Sequence, residues 1–98
     1  MFEIGYGDGG AIAFTGRLDA AQSGKAQAFL DTADASLPFD FGGLEYISSA
    51  GLGVLLRAHK RLMGNGGRLR VVNVNSHIHD IFRYSGFDQV LEVERPAG

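Results

Sequence analysis

Residues 43–56 read Gly-Leu-Glu-Tyr-Ile-Ser-Ser-Ala-Gly-Leu-Gly-Val-Leu-Leu, a stretch in which an apolar strand gives way to an amphipathic helix. Two adjacent serines, Ser48 and Ser49, fall at the junction. Backbone N–H groups at a helix start lack intrahelical acceptors, and the peptide dipoles add partial positive charge, so a phosphate held there is stabilised. The ordinary role of such serines is to cap the helix and face solvent. The sharper hypothesis is that one of them is phosphorylated.

Size and composition favour one small globular domain spanning residues 1–98, since 45% of the chain is hydrophobic and 20% is charged. A cleft between two domains, where many metabolic active sites lie, is not available at this length. Three enzyme motifs are also absent: Gly-x-Ser-x-Gly around Ser49, the third glycine of a dinucleotide fingerprint, and the Gly-Lys-Ser/Thr of a P-loop. We therefore expect a protein that is not an enzyme and needs no cofactor.

Charge and cysteine content narrow the partners and the compartment. The formal net charge is −2 and the Lys and Arg residues are scattered, so we expect no nucleic-acid partner. The chain has no cysteine, no secretory signal and no apolar run of roughly 20 residues, which favours a cytoplasmic domain without direct membrane contact. His77 and His79 lie two positions apart on a predicted helix and so face different sides, and we expect no metal site.

The order of the secondary-structure signals predicts an α/β fold. Alternating apolar residues on both sides of the turn at 7–10 predict an N-terminal β-hairpin, and Asp19 with Gln22 has the form of a capping box at the start of a helix. A strand through Phe39 and Phe41 then runs to the serines. Strand-helix-strand units impose parallel pairing, so we expect a single mixed β-sheet, the N-terminal hairpin plus parallel strands, packed with about three helices.

The helix after the serines has the clearest pattern in the chain. Its predicted apolar stripe follows the 3.6-residue period and consists of Leu52, Leu55, Leu56, His59, Leu62 and Met63. A strand through Val71 follows, then a third helix that Asn75 or Ser76 can cap and that Gly86 ends. Val90, Leu91 and Val93 predict a short last strand.

Several of these segments, in this order, resemble STAS domains and in particular the bacterial anti-sigma factor antagonists. The resemblance covers most of the chain and rests on residues 14–19, 47–56, 67–73 and 81–87, with the strand 39–41. It implies a phosphorylation switch in a partner-switching circuit. The unmodified antagonist binds an anti-sigma factor that is also a serine kinase of the GHKL ATPase type, and the sigma factor is released. Phosphorylation reverses this, and a PP2C-type phosphatase resets it.

Aligned on the family motif, the phosphorylation site falls on Ser49, with Ser48 as the second choice. The glycines Gly51 and Gly53 carry no side chain, so we expect a partner to pack closely over them, beside Ser48. The resemblance places the loop at Asp19 near the acceptor and the partner. We expect the domain to be a monomer or a weak dimer.

The ordinary roles of three of these residues also remain open. Asp19 is foremost a helix cap, Gly53 can serve packing within the domain, and Arg57 belongs to a solvated helix face, with a salt bridge to the partner as the sharper possibility. The alternative function is a STAS interaction subunit of a transporter or a stress-sensing complex that is not phosphorylated. An intact serine turn favours the phosphorylated antagonist.

Overall fold

Helices and strands alternate along the chain in the computed structural model, which describes residues 1–96. The strands are β1 (Phe2–Tyr6), β2 (Ile12–Leu18), β3 (Phe39–Ile47), β4 (Arg70–Val72) and β5 (Glu92–Val93). The α-helices are α1 (Ser23–Thr32), α2 (Ser49–Met63) and α3 (Ser76–Ser85). Short 3-10 helices lie at Asp8–Gly10, Ala20–Gln22 and Phe87–Gln89.

The five strands form one sheet in the order β1-β2-β3-β4-β5. The β1–β2 hairpin is antiparallel, whereas β2–β3, β3–β4 and β4–β5 are parallel pairs. The predicted mixed sheet with an N-terminal hairpin and three helices is therefore confirmed. Because β2 and β3 are parallel and Leu18 pairs with Ile47, the residues that follow these strands meet at the carboxyl ends of the strands.

Aromatic side chains connect the sheet to the helical layer. The ring of Phe14 on β2 lies 5.1 Å from that of Phe39 and 4.8 Å from that of Phe41, both on β3. Phe41 in turn lies 6.1 Å from Phe82 of α3. Edge-to-face and tilted pairs at these distances add to the stabilisation from buried area. The core therefore lies between one face of the sheet and the helices.

The predicted apolar stripe of α2 is partly wrong. Leu55, His59 and Leu62 are buried as expected, but Leu52 and Leu56 are only half-buried and Met63 is 55% exposed. The buried face is completed instead by Gly51, Val54 and Ala58. The helix is therefore rotated relative to the prediction, and part of the apolar stripe reaches solvent.

His59 is the one buried polar residue of α2, with 2% of its surface exposed. Its Nδ1 accepts a hydrogen bond of 3.2 Å from the backbone N–H of Leu69. An accepting Nδ1 requires the neutral ring with its proton on Nε2. The imidazole thus supplies the acceptor that the N–H of Leu69, just before β4, would otherwise lack.

Asn75, rather than Ser76, caps α3, since its side chain accepts a hydrogen bond of 2.9 Å from the N–H of Ile78. At the other end of α3, Gly86 adopts a left-handed conformation with φ 79°. The helix therefore ends where the sequence predicted. The last strand is shorter than predicted and contains only Glu92 and Val93.

Candidate functional site

Ser48 is the N-cap of α2. Its Oγ accepts a hydrogen bond of 3.1 Å from the N–H of Gly51, and its carbonyl accepts one of 2.9 Å from the N–H of Leu52. Its own N–H donates to the carbonyl of Leu18 at 2.9 Å, which ties the start of α2 to the end of β2. The Ser48 side chain is half-buried and therefore stabilises the start of α2 as its cap.

Ser49 is the first residue of α2 and is exposed. Within residues 1–96, no protein acceptor is assigned to the N–H of Ser49 or Ala50, as expected for the first turn of a helix. These two amides lie beside the Ser49 side chain at the positive end of a 15-residue helix. The hydroxyl is therefore open to solvent and next to free donors that can stabilise negative charge.

Asp19 and Ser48 lie at the same end of the sheet, because Asp19 directly follows β2 and Ser48 directly follows β3. Its carboxylate accepts a hydrogen bond of 3.1 Å from the N–H of Gln22. The predicted cap is present, although it caps the short 3-10 helix that leads into α1 rather than α1 itself. The structure therefore brings Asp19 and the two serines to one end of the molecule.

Gly51 faces the interior of the domain and not the partner surface that the sequence predicts. A Cβ built on Gly51 would lie 2.8 Å from Ile47 Cγ1 and 2.9 Å from Leu18 Cγ. These distances are shorter than real Cβ contacts, so the missing side chain lets α2 approach β2 and β3 closely. The expected partner contact at Gly51 is corrected: this glycine is buried and serves packing within the domain.

Gly53 is only half-buried, and the nearest atom to a Cβ built there is a guanidinium nitrogen of Arg57, at 3.6 Å. The Arg57 side chain thus lies along the helix beside Gly53. Its Nε donates a hydrogen bond of 2.7 Å to the side-chain oxygen of Gln27 on α1. Arg57 therefore bridges the two helices on the solvent side, and the partner contacts expected at Gly53 and Arg57 stay predictions.

The α2 outer face is defined here as the row of exposed or half-buried residues that share a side of the helix with Ser49. At 3.6 residues per turn they fall within about 60° of it. Its members are Ser49, Leu52, Gly53, Leu56, Lys60 and Met63. Three of them are large apolar side chains, and within residues 1–96 no other element covers them fully. This face combines the exposed hydroxyl with partly exposed apolar surface.

Sequence reasoning missed a cation–π pair beside the serines. The guanidinium carbon of Arg17 lies 4.5 Å from the ring centroid of Tyr46. The two residues pair across β2 and β3, two positions before Asp19 and Ser48. Only the strand register brings them together, so no signal within either segment could have identified the pair. It presents a cation and an aromatic ring next to the candidate site.

Within residues 1–96, no three His, Asp or Glu side chains are grouped so that they could bind a metal ion. In the same part of the chain, none of the helices has the length and apolar character required to span a bilayer.

Most of this chain matches the sequence model of one known protein family. Residues 6–92 match the sequence model of a family described as "Mlab, STAS domain". The chain belongs to the STAS domain family. The resemblance inferred from the sequence motifs is thereby confirmed, and the serine turn at 48–49 lies inside the matched range of this STAS domain.

Two proteins similar to this STAS domain carry the name "putative anti-sigma factor antagonist". One is BtrV of Bordetella bronchiseptica, which is 36% identical over 66 residues, or 67% of this chain and 57% of BtrV. The match thus spans little more than half of that relative's length. The other is a crystal structure from Thermotoga maritima with a TM-score of 0.76 and 16% identity, covering 97% of this chain and 86% of that one.

The anti-sigma factor antagonist SpoIIAA has the same fold as this STAS domain in two states. Its unphosphorylated form matches with a TM-score of 0.70 and 18% identity, covering 100% of this chain and 90% of that one. The phosphorylated form of the Bacillus protein matches with a TM-score of 0.66 and 20% identity, covering 95% and 90%. At these identities the likeness shows the fold.

Proposed function

We propose that this STAS domain is an anti-sigma factor antagonist whose binding to an anti-sigma factor is switched off by phosphorylation of Ser49. The observation that carries the proposal is the exposed hydroxyl of Ser49 at the first position of α2, beside two free backbone amides. The domain acts by binding and release rather than by catalysis.

The choice of Ser49 over Ser48 rests on what each hydroxyl does. Ser48 Oγ already accepts the cap bond from Gly51, and its side chain is half-buried. Esterifying that oxygen would disturb the cap, which contributes about 0.5–2 kcal/mol to a helix. Ser49 is exposed, and among the described residues 1–96 its hydroxyl makes no such bond, so a kinase can reach it without disturbing the start of α2.

The fold is expected to tolerate the modification. A phosphoserine carries about 1.5 to 2 negative charges at neutral pH, and negative charge is favourable in the first turn of a helix. The free amides of Ser49 and Ala50 can donate to the phosphate oxygens. The SpoIIAA structures in both states support this, because both keep the fold of this chain.

The partner is expected to respond in the opposite way. Leu52, Gly53 and Leu56 continue from Ser49 along the α2 outer face, and their half-buried surface would be desolvated by a docked protein. A hydrated dianion at the end of that face would then have to lose water or hold the partner away. A loss of roughly 3 kcal/mol of interface free energy weakens binding about a hundredfold.

The circuit that the proposal implies has two further proteins. The anti-sigma factor would itself be the serine kinase, of the GHKL ATPase type, and a PP2C-type phosphatase would remove the phosphate. In the alternative, the same face would bind a transporter or stress-sensing assembly permanently, and Ser49 would only be an interface residue. The two functions differ in whether the hydroxyl is modified.

A kinase assay with a matched control separates the two functions. Ser76 is also an exposed serine at the first position of a helix, directly after a capping residue, so it is the structural counterpart of Ser49 on α3. The chain is incubated with ATP and each GHKL-type kinase from its own genome, and peptides are mapped by mass spectrometry. We expect phosphate on Ser49, none in Ser49→Ala, and normal modification in Ser76→Ala. Modification at another residue, or no modification by any of these kinases, would favour the permanent subunit.

A further inference from the structure

The outer side of β1 is an edge of the sheet, and the register shows which backbone groups it presents. The hairpin bonds from Arg17 N to Met1 O and from Gly7 N to Ala11 O, both 2.8 Å, mark the odd-numbered residues of β1 as those that bond to β2. The N–H and C=O groups of Phe2, Ile4 and Tyr6 therefore point away from β2.

Lys25 of α1 closes part of this edge. Its ammonium group donates a hydrogen bond of 3.0 Å to the carbonyl oxygen of Phe2, one of the outward-pointing groups. The same nitrogen lies 3.5 Å from a carboxylate oxygen of Glu3 and 6.0 Å from the ring centroid of Phe2. Lys25 thus lies across the beginning of the strand edge and is held there by three contacts.

We propose that Lys25 guards the β1 edge and prevents the domain from pairing with a second copy of itself through β1. Lysines on edge strands, and charges placed beside them, are a known device against edge-to-edge association. This inference is independent of the function proposed for Ser49, since it concerns the outer side of β1, whereas Ser49 follows the end of β3.

The second copy is the expected occupant because the free edge is self-complementary. In antiparallel pairing about a two-fold axis at Ile4, the outward groups of Ile4 face those of Ile4 in the other copy, and Phe2 faces Tyr6. Two of these three facing pairs use the Phe2 carbonyl that Lys25 occupies. Displacing the lysine from both copies would free these two pairs, so that all three could form and join two five-stranded sheets into one.

The apolar surface beside the edge also favours such pairing once the guard is removed. Tyr6 is 63% exposed, and its ring lies 5.3 Å from that of Phe29 on α1. Ile4 is half-buried on the same side of the strand. A second β1 would cover part of this surface, whereas two ammonium groups trapped in the same contact would oppose it.

The test compares Lys25→Ala with the wild type and with Arg83→Ala, which removes an exposed cation from α3 and serves as the control. Sedimentation equilibrium measures self-association, and hydrogen exchange measures protection of the Ile4 and Tyr6 amides. We expect Lys25→Ala to self-associate at least about tenfold more strongly than the wild type and Arg83→Ala, with both amides newly protected.

Three results would overturn the guard role of Lys25. The first is a folded Lys25→Ala variant that self-associates no more than the wild type. The second is stronger association without protection of the Ile4 and Tyr6 amides, because the contact would then lie elsewhere. The third is a wild-type dimer in which these amides are already protected, because the lysine would then not block the edge.

Discussion

Two glycines one half-turn apart on α2 are expected to respond oppositely to the same substitution. Gly51→Ala places a methyl group 2.8 Å from Ile47 Cγ1 and 2.9 Å from Leu18 Cγ, both in the packed core. Gly53→Ala places it without a clash, since the nearest atom is at an ordinary van der Waals distance of 3.6 Å, on the flexible end of Arg57. The pair therefore tests which face of α2 is inside.

The difference in stability between the two variants can be estimated because one contribution to it is the same in both. Replacing glycine by alanine inside a helix gains about 1 kcal/mol at either position, so this gain disappears from the difference between the two variants. What remains is the cost of forcing a methyl group into a packed core at Gly51, about 1–3 kcal/mol. Gly53→Ala should be more stable than the wild type by up to about 1 kcal/mol, and Gly51→Ala less stable than Gly53→Ala by the steric cost.

Urea unfolding followed by circular dichroism measures both free energies of unfolding, and thermal unfolding provides a check. For a domain of this size, a difference of 1 kcal/mol corresponds to roughly 4–8 °C in Tm. If Gly51→Ala unfolds at the same urea concentration as Gly53→Ala, or at a higher one, the orientation of α2 deduced from these contacts is wrong.

Three further predictions concern contacts elsewhere in the fold. Ser48→Ala should lower the free energy of unfolding by about 1 kcal/mol, measured in urea, because it removes the cap of α2. His59→Phe should cost about 1–3 kcal/mol in the same assay, because the N–H of Leu69 loses its buried acceptor; an unchanged midpoint would contradict that. The pKa of Glu94 is lowered, chiefly by the hydrogen bond from Arg70. The pair therefore stabilises the fold fully at pH values above the ordinary carboxylate pKa, and this stabilisation is lost as the pH falls through the lowered pKa of Glu94. An NMR titration should show the Glu94 midpoint rising in Arg70→Ala.

Much of the fold was predictable because its signals are local. The alternation of apolar residues in the hairpin, the capping residues Asp19 and Asn75, and the left-handed Gly86 each depend on a few neighbouring positions. The start of α2 was predictable for the same reason, since a serine directly after an apolar strand can cap the first turn of a helix.

The rotation of α2 was not predictable, because its apolar residues are spread too widely around the helix to choose one face. The contact of Gly51 with Leu18 and Ile47 decides it, and that contact depends on the pairing of β2 with β3. For the same reason the sequence could not tell which glycine is buried. Helical spacing from Ser49 gives the residues that share its side of α2, but only the packing of Gly51 shows that this side faces outward.

The central claim is that negative charge on one exposed hydroxyl controls partner binding without unfolding the domain. Its most direct test is calorimetric titration of a GHKL-type kinase that phosphorylates the chain with the wild type, Ser49→Asp and Ser76→Asp. Both variants add a carboxylate at the first position of a helix, where it is compatible with folding. We expect Ser49→Asp to bind about a hundredfold more weakly and Ser76→Asp to bind like the wild type. Equal affinity of Ser49→Asp and the wild type would contradict the account.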